Sequence, residues 1–349
     1  MKKNILTPIL AGLIFCLAGT VSSQIVAHHQ TAVFDFDGDG ISDPAMIENV
    51  NSNLTWHILQ SRNGMRVVTF GLKEMRDIAV PADYDGDGMC DIAVWRPGDT
   101  LWQGQGTFWI LSSRDGSVSV IPWGLDGDNP RITQDFDGDG IADPAVVRRT
   151  GGAMEWWIML STGGIKTATY GRDTDFFVRG DFDGDGMADL AVYRTIADKS
   201  TPANTFIITQ SSDNEVCYIT FGIAGDIVVP GDFDGDGITD IAVFRNNPAK
   251  TPEAMWYWLN SFDGKVEMMP FGLNLVTPDL MDCPAPGDYD NDGETDLAVW
   301  RMLPMTPESE FHMLVGKNKK SEYRAFVFGN AEMEVPNFTM QIVDTKYTQ

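Results

Sequence analysis

Histidine, cysteine and positive charge are all scarce in this chain. Its 349 residues include 4 histidines and 4 cysteines, and 25 basic residues stand against 50 acidic ones. A formal charge of −25 repels a phosphate backbone and an anionic lipid surface alike, so neither nucleic acid nor membrane is expected as a partner. With Cys16 assigned below to a removed leader, Cys90, Cys217 and Cys283 remain. Three thiols form one internal bridge at most, which excludes a fold built on disulfides. Ala, Leu, Glu and Lys do not dominate, which argues against long helices. What replaces them is 35 glycines, 18 prolines and 11% aromatics, the composition of a turn-rich β-protein.

Catalytic groups are equally sparse. The histidines are His28, His29, His57 and His312; no Gly-x-Ser-x-Gly or metalloprotease helix motif occurs, and the paired carboxylates belong to six equivalent loops. No unique constellation stands out, so no enzyme activity is expected. The chain begins with Lys2 and Lys3, an apolar stretch from Ile5 to Val21 and small residues at Val21 and Ser23. We read residues 1–23 as a secretory signal cut before Gln24, which places the mature protein outside the cell, in a periplasm or at a cell surface. No linker or low-complexity tract divides the rest, so residues 24–349 are expected to form one domain.

A nine-residue pattern, Asp-x-Asp-x-Asp-Gly-x-x-Asp, recurs six times, starting at Asp35, Asp83, Asp135, Asp181, Asp232 and Asp288. The spacings, 46 to 56 residues, are the length of a four-stranded blade. Apolar runs such as Ile92-Ala93-Val94-Trp95-Arg96 and Ile241-Ala242-Val243-Phe244-Arg245 follow the loops as short strands. A further strand is expected to begin at Trp56, Trp109, Trp157, Phe206, Trp258 and Phe311, and the last strand ends in an aromatic-glycine pair such as Phe70-Gly71 or Phe271-Gly272. Asn63-Gly64, Asp115-Gly116, Gly163-Gly164, Asp213-Asn214 and Asp263-Gly264 between them suit tight hairpins. Each unit then has four strands, A to D, with the acidic loop joining A to B. One unit buries one sheet face at best, so the units over 31–329 must pack side by side, and a closed ring protects their edges. The expected fold is an all-β propeller of six blades, with seven as the alternative, closed by a C-terminal strand at Phe338 to Val343.

Each loop sets oxygen ligands along a tight turn. The candidate ligands are Asp35, Asp37, Asp39, the Ile41 carbonyl and Asp43; Asp83, Asp85, Asp87, Met89 and Asp91; Asp135, Asp137, Asp139, Ile141 and Asp143. The other three loops offer Asp181, Asp183, Asp185, Met187 and Asp189; Asp232, Asp234, Asp236, Ile238 and Asp240; Asp288, Asp290, Asp292, Glu294 and Asp296. Carboxylates at positions 1, 3, 5 and 9 with a carbonyl at 7 resemble an EF-hand loop, an all-oxygen set that suits Ca²⁺ better than Mg²⁺ or transition metals. About six ions are expected. The loops contain 24 of the 50 acids, leaving 26 acids against 25 bases elsewhere, and two carboxylates 4 Å apart repel by roughly 4 kcal/mol at an effective dielectric near 20. Six divalent ions would bring the formal charge to −13. Cys90, at position 8, is read as a packed small residue.

The loop and the Ile-Ala-Val strand that follows resemble the FG-GAP or VCBS repeat family, whose propellers include the head of integrin α chains and bacterial exported proteins. The resemblance spans about Thr31 to Gly329. It implies a calcium-bearing propeller and leaves activity open, because the family includes adhesins, lectins and accessory domains. The first copy departs from the pattern: Pro44-Ala45-Met46-Ile47-Glu48 lacks the arginine found in the others.

The reading that follows is a binding or adhesion module for a glycan or protein, with a structural subunit of an extracellular assembly as the alternative and a carbohydrate-active or phosphoester-cleaving enzyme behind both. The acidic loops and C–D hairpins are expected on one face, and the irregular B–C and D–A segments on the other. Trp102 there is a stacking candidate or a core cap. Trp95, Trp300, Tyr193 and Phe244 are expected to pack blade against blade. Arg96, Arg148, Arg194, Arg245 and Arg301 are expected to pair with acidic neighbours at strand ends.

Overall fold

Alternating apolar residues on short strands, each strand ended by glycine or aspartate turns, produce a chain of antiparallel meanders. The computed structural model describes residues 34–98, 104–195, 203–246, 253–274, 282–303, 308–316, 322–330 and 333. All regular structure among them is β, in six sheets. Blade 1 holds β1 (Ala45–Val50), β2 (Asn53–Gln60) and β3 (Gly64–Leu72), and blade 2 holds β4 (Ile78–Ala79), β5 (Ile92–Arg96), β6 (Gln105–Leu111) and β7 (Val118–Leu125). Blade 3 contains β8 (Ala145–Thr150), β9 (Ala153–Met159) and β10 (Ile165–Arg172). Blade 4 contains β11 (Phe176–Val178), β12 (Leu190–Arg194), β13 (Ala203–Thr209) and β14 (Val216–Ile223). Blade 5 runs through β15 (Ile227–Val228), β16 (Ile241–Arg245), β17 (Glu253–Leu259) and β18 (Val266–Leu273), and blade 6 through β19 (Cys283–Pro284), β20 (Leu297–Met302), β21 (Glu308–Val315) and β22 (Glu322–Asn330).

Four blades have the expected four strands. In blade 3 the A strand is reduced to the bridge between Asn129 and Val147, and in blade 1 three strands fall among the described residues. The C strands start earlier than the aromatic that was expected to open them: β6 begins at Gln105, four residues before Trp109. The aromatic-glycine pairs sit at register shifts where β2–β3, β6–β7, β17–β18 and their counterparts bulge. Gly71 shows why glycine stands there: φ is +107°, and a Cβ would come within 3.0 Å of Val94 Cγ1 in the next blade.

The core lies between blades. Leu54, Trp56 and Ile58 of blade 1 pack with Ile92 and Val94 of blade 2; Trp256 and Trp258 of blade 5 pack with Leu297 and Val299 of blade 6. The ring closes where Met46 of blade 1 packs with Trp300, Phe311 and Phe328 of blade 6. Six blades close it, not seven. Trp95, Tyr193, Phe244 and Trp300 are all buried in these seams, as expected. Cys90 and Cys217 are buried and Cys283 half-buried, and no disulfide joins them. The leader, Trp102 and the segment 338–343 lie outside the described residues.

Candidate metal centres

The six loops follow one plan. The position-9 N–H donates back to the carbonyl just before the loop, as Asp91 does to Ala82 O at 2.8 Å, which closes the turn. The position-1 carboxylate then collects N–H groups from inside it: Asp135 accepts from Gly138 at 2.6 Å and from Gly140 at 2.7 Å. In every copy one oxygen of the position-9 carboxylate accepts the position-2 N–H, at 2.7 to 2.9 Å. In the first five copies its other oxygen accepts the backbone N–H of a hairpin serine: Ser61, Ser113, Ser161, Ser211 or Ser261. The hydroxyls of the same serines donate to the position-5 carboxylates Asp39, Asp87, Asp139, Asp185 and Asp236. Acidic loops and C–D hairpins therefore share one face. The serines escaped the sequence reading, although their recurrence two places before the hairpin pair of each of these copies is visible there. The sixth copy has Gly316 at that place, and there the position-5 oxygen Asp292 Oδ2 is buried with no donor.

The position-3 carboxylates differ from the rest. One oxygen is held by the hairpin, as in the bond from Thr162 Oγ1 to Asp137 Oδ2 at 2.5 Å. The other, Oδ1 of Asp37, Asp85, Asp137, Asp234 and Asp290, is buried and accepts no hydrogen bond, although Arg114 Nη2 lies 3.5 Å from that of Asp85. An uncompensated buried carboxylate oxygen is costly, and carboxylates face it. Ligating atoms of Asp83, Asp85 and Asp91 lie within 4.8 Å of one another, as do those of Asp135, Asp137 and Asp143, of Asp181, Asp183 and Asp189, and of Asp232, Asp234 and Asp240; in the first loop the set is Asp35, Asp37 and Asp39. Burial, reinforced by neighbouring carboxylates, pushes Asp43, Asp189 and Asp240 up to about 7 and Asp143, Asp181 and Asp234 to about 6, against the backbone N–H bonds that lower them. An all-oxygen pocket with a donor-less buried oxygen and several destabilised charges fits a hard divalent cation.

The loops also bond to one another. The position-8 N–H of each donates to the position-1 carbonyl of the loop before it: Cys90 to Asp35, Ala142 to Asp83, Ala188 to Asp135, Thr239 to Asp181, Thr295 to Asp232 and Ser42 to Asp288, at 2.5 to 2.7 Å. These six bonds form a closed circle. The side chains at Met89, Ile141, Met187, Ile238 and Glu294 lie on the position-4 glycine of the preceding loop; a Cβ on Gly184, at φ +75°, would sit 2.8 Å from Ile238 Cγ1. Asn291 takes that position in the sixth loop at φ +62° and donates to Asp39 O at 3.4 Å.

On the opposite face each strand-end arginine pairs with an aspartate in the D–A connection: Arg96 with Asp77, Arg148 with Asp128, Arg194 with Asp175, Arg245 with Asp226 and Arg301 with Asp282, at 2.7 to 2.8 Å. The aspartates are fully buried and also accept an N–H from the end of the previous blade's D strand, as from Ile223 to Asp226 at 2.8 Å. The expected pairing holds, and its partners, unnamed from sequence, tie neighbouring blades. In the first copy Glu48 replaces the arginine and meets His57 at 3.0 Å.

Aromatic rings cover three of these arginines: Trp109 over Arg96, Trp157 over Arg148 and Tyr257 over Arg245. The equivalent residue in blade 6 is the smaller His312, and there a recess of about 330 Å³ opens between blades 5 and 6, lined by Glu253, Pro270, Phe271, Leu273, Arg301, His312 and Tyr323. His312 Nδ1 lies 2.6 Å from Tyr323 Oη and Nε2 lies 3.1 Å from Glu310; burial and Arg301 lower its pKa.

Residues 232–299, from the fifth acidic loop to the B strand of blade 6, match the FG-GAP-like repeat family. That match covers one repeat, and the same loop, strand and aromatic-glycine pair recur in the other blades of the β-propeller, which supports an FG-GAP-type propeller. No curated protein matches it. Among solved structures it is similar to the Pyrococcus horikoshii acylaminoacyl peptidase, at 12% identity and a TM-score of 0.41 over 72% of this chain and 39% of that one. An acylaminoacyl peptidase in complex with Z-Gly-Gly-Phe-chloromethyl ketone is similar at 11% identity and a TM-score of 0.39, over 69% of this chain and 39% of that one. The chain thus spans about two fifths of these peptidases.

Proposed function

We propose that this protein is an exported binding module: a propeller clamped by about six Ca²⁺ ions that presents its opposite face and seams to a glycan or protein ligand. The observation that carries the metal is the buried Oδ1 at position 3 that accepts no hydrogen bond, repeated in five loops. The chemistry a bound Ca²⁺ supplies is charge neutralisation. Position-1, position-3, position-5 and position-9 carboxylates with the position-7 carbonyl would hold it, position 9 also pinning the turn through backbone N–H bonds. Leader residues 1–23 support export.

Recognition in a repeat scaffold belongs where the repeat is broken, and the recess beside His312 is such a place. Its volume falls at the lower end of the range for ligand pockets, with apolar walls and a few polar groups. His57 and His312 are each engaged with a carboxylate, and the reading assigns no catalysis to either. Elemental analysis of the purified mature protein should find about six calcium ions per chain. A glycan array run with calcium and with chelator then tests recognition: calcium-dependent sugar binding that His312→Trp abolishes, with calcium content unchanged, supports a lectin. Silence on the array directs the search to protein partners, and turnover of a polysaccharide or phosphoester would overturn the binding-module reading.

A further inference from the structure

Three strand-end arginines carry a ring from their own blade. The guanidinium carbon lies 4.9 Å from the ring centroid of Trp109 in Arg96, 5.3 Å from that of Trp157 in Arg148 and 4.4 Å from that of Tyr257 in Arg245. The ring always stands at the same register on the third strand, opposite Val94, Val146 or Val243. In blade 4 the buried Ile207 takes that register opposite Val192, and in blade 6 His312 takes it opposite Val299. His312 is turned to Tyr323, whose Oη its Nδ1 meets at 2.6 Å, and among the described residues no Phe, Tyr or Trp ring stacks on Arg301.

The recess of about 330 Å³ lies at this place. Phe271 and Leu273 of blade 5 form one side of it, and Arg301, His312 and Tyr323 of blade 6 the other. A cavity of about 150 Å³ admits benzene, so the recess has room for an indole. Arg301 spends Nε and Nη2 on Asp282, each at 2.7 Å, the same clamp that holds Arg96, Arg148 and Arg245 under their rings. A guanidinium held by its edge still offers flat faces, and aromatic rings stack on them. Leu273 and Tyr323, 37% and 59% exposed, continue the lining to the surface.

We propose that the recess takes an aromatic side chain of a protein partner, tryptophan foremost, its ring stacked on Arg301 as Trp109, Trp157 and Tyr257 stack in their own blades. This rests on the binding-module reading and narrows it from glycan or protein to protein, where buried aromatic anchors carry most of the affinity.

The test is a titration of the calcium-loaded mature protein, followed by ligand-observed NMR, with the peptide Gly-Gly-Trp-Gly-Gly, the matched leucine peptide and free indole. The tryptophan peptide should bind at least about fivefold more tightly than the leucine peptide, and no more weakly than indole. His312→Trp puts the protein's own ring in the recess and should abolish that binding with calcium content unchanged. Replacing Arg301 alone would strand the buried Asp282, so the cation is removed as Arg301→Met with Asp282→Leu, and the preference for tryptophan over leucine should vanish. Crystals soaked in the tryptophan peptide should show its ring centroid within about 6 Å of Arg301 Cζ. No binding of the tryptophan peptide, equal binding of the two peptides, tighter binding of free indole, or binding that His312→Trp leaves unaltered would overturn the proposal. A glycan bound on the array and lost in His312→Trp, with no peptide bound, would overturn it while leaving the binding-module reading in place.

Discussion

At the scale of single residues, the loop aspartates divide the work between turn and ion. Positions 1 and 9 spend their oxygens on backbone N–H groups, whereas position 3 keeps one buried oxygen that accepts no hydrogen bond. A neutral amide at position 3 should therefore act in opposite directions with and without metal. Asp137→Asn is expected to remove about one of six calcium ions per chain and lower the Tm of the loaded protein, yet to raise it in chelator by relieving repulsion of roughly 4 kcal/mol per close carboxylate pair. Melting curves in calcium and in chelator check both signs. The position-9 carboxylates set a pH dependence in the same two states. Asp43, Asp189 and Asp240 titrate near 7 in the metal-free fold, against a usual value of 3.8. A pKa raised in the folded state means that the fold binds protons the unfolded chain releases. Their stabilisation is complete below about pH 4 and is lost as pH rises through 6 to 7. Metal-free protein should thus melt higher at pH 5.5 than at pH 8, and the gain from added calcium should be larger at pH 8. Calorimetry at the two pH values, with and without calcium, measures this.

At the scale of elements, each blade is tied to its neighbours at both ends. On one face the position-8 to position-1 bonds join loop to loop; on the other the buried aspartate joins the D strand of one blade to the B strand of the next. The aspartate side chain is 1% exposed in the Arg245 pair, so removing one partner leaves a buried charge unmet. Asp226→Ala should cost about 3–5 kcal/mol, and the double replacement Asp226→Leu with Arg245→Met distinctly less, because no uncompensated charge remains. Urea unfolding of both variants decides this. If the single variant is as stable as wild type, the pair is not what joins the blades.

At the scale of the molecule, the loops form one circuit in which strain or charge in any copy reaches its neighbours. The seams between blades hold the apolar core, so a blade cannot open without exposing two of them. Binding that favours the folded ring contributes about 2.7 kcal/mol for each site held at 100 times its dissociation constant. Chelation should lower the Tm by more than about 10 °C, and the calcium-loaded protein should unfold in one calorimetric transition. A chelated sample melting at the same temperature as the loaded one would remove the clamp from this account.

The order of strands, the number of acidic loops and the blade-length spacing are local properties, and the sequence carries them openly: a repeated Asp-x-Asp-x-Asp-Gly pattern and period-two strands need no long-range contact to be recognised. The serines of the C–D hairpins and the aspartates of the D–A connections also recur in the sequence, but their partners are far along the chain or in the next blade, so their roles are not legible from spacing. Tertiary structure alone decided that Ser42 of the first loop meets Asp288 of the sixth and that Met46 fills the core of the last blade. Those contacts join segments up to some 250 residues apart, and the ring geometry that brings them together is set by how sheets twist and pack, which no single repeat encodes.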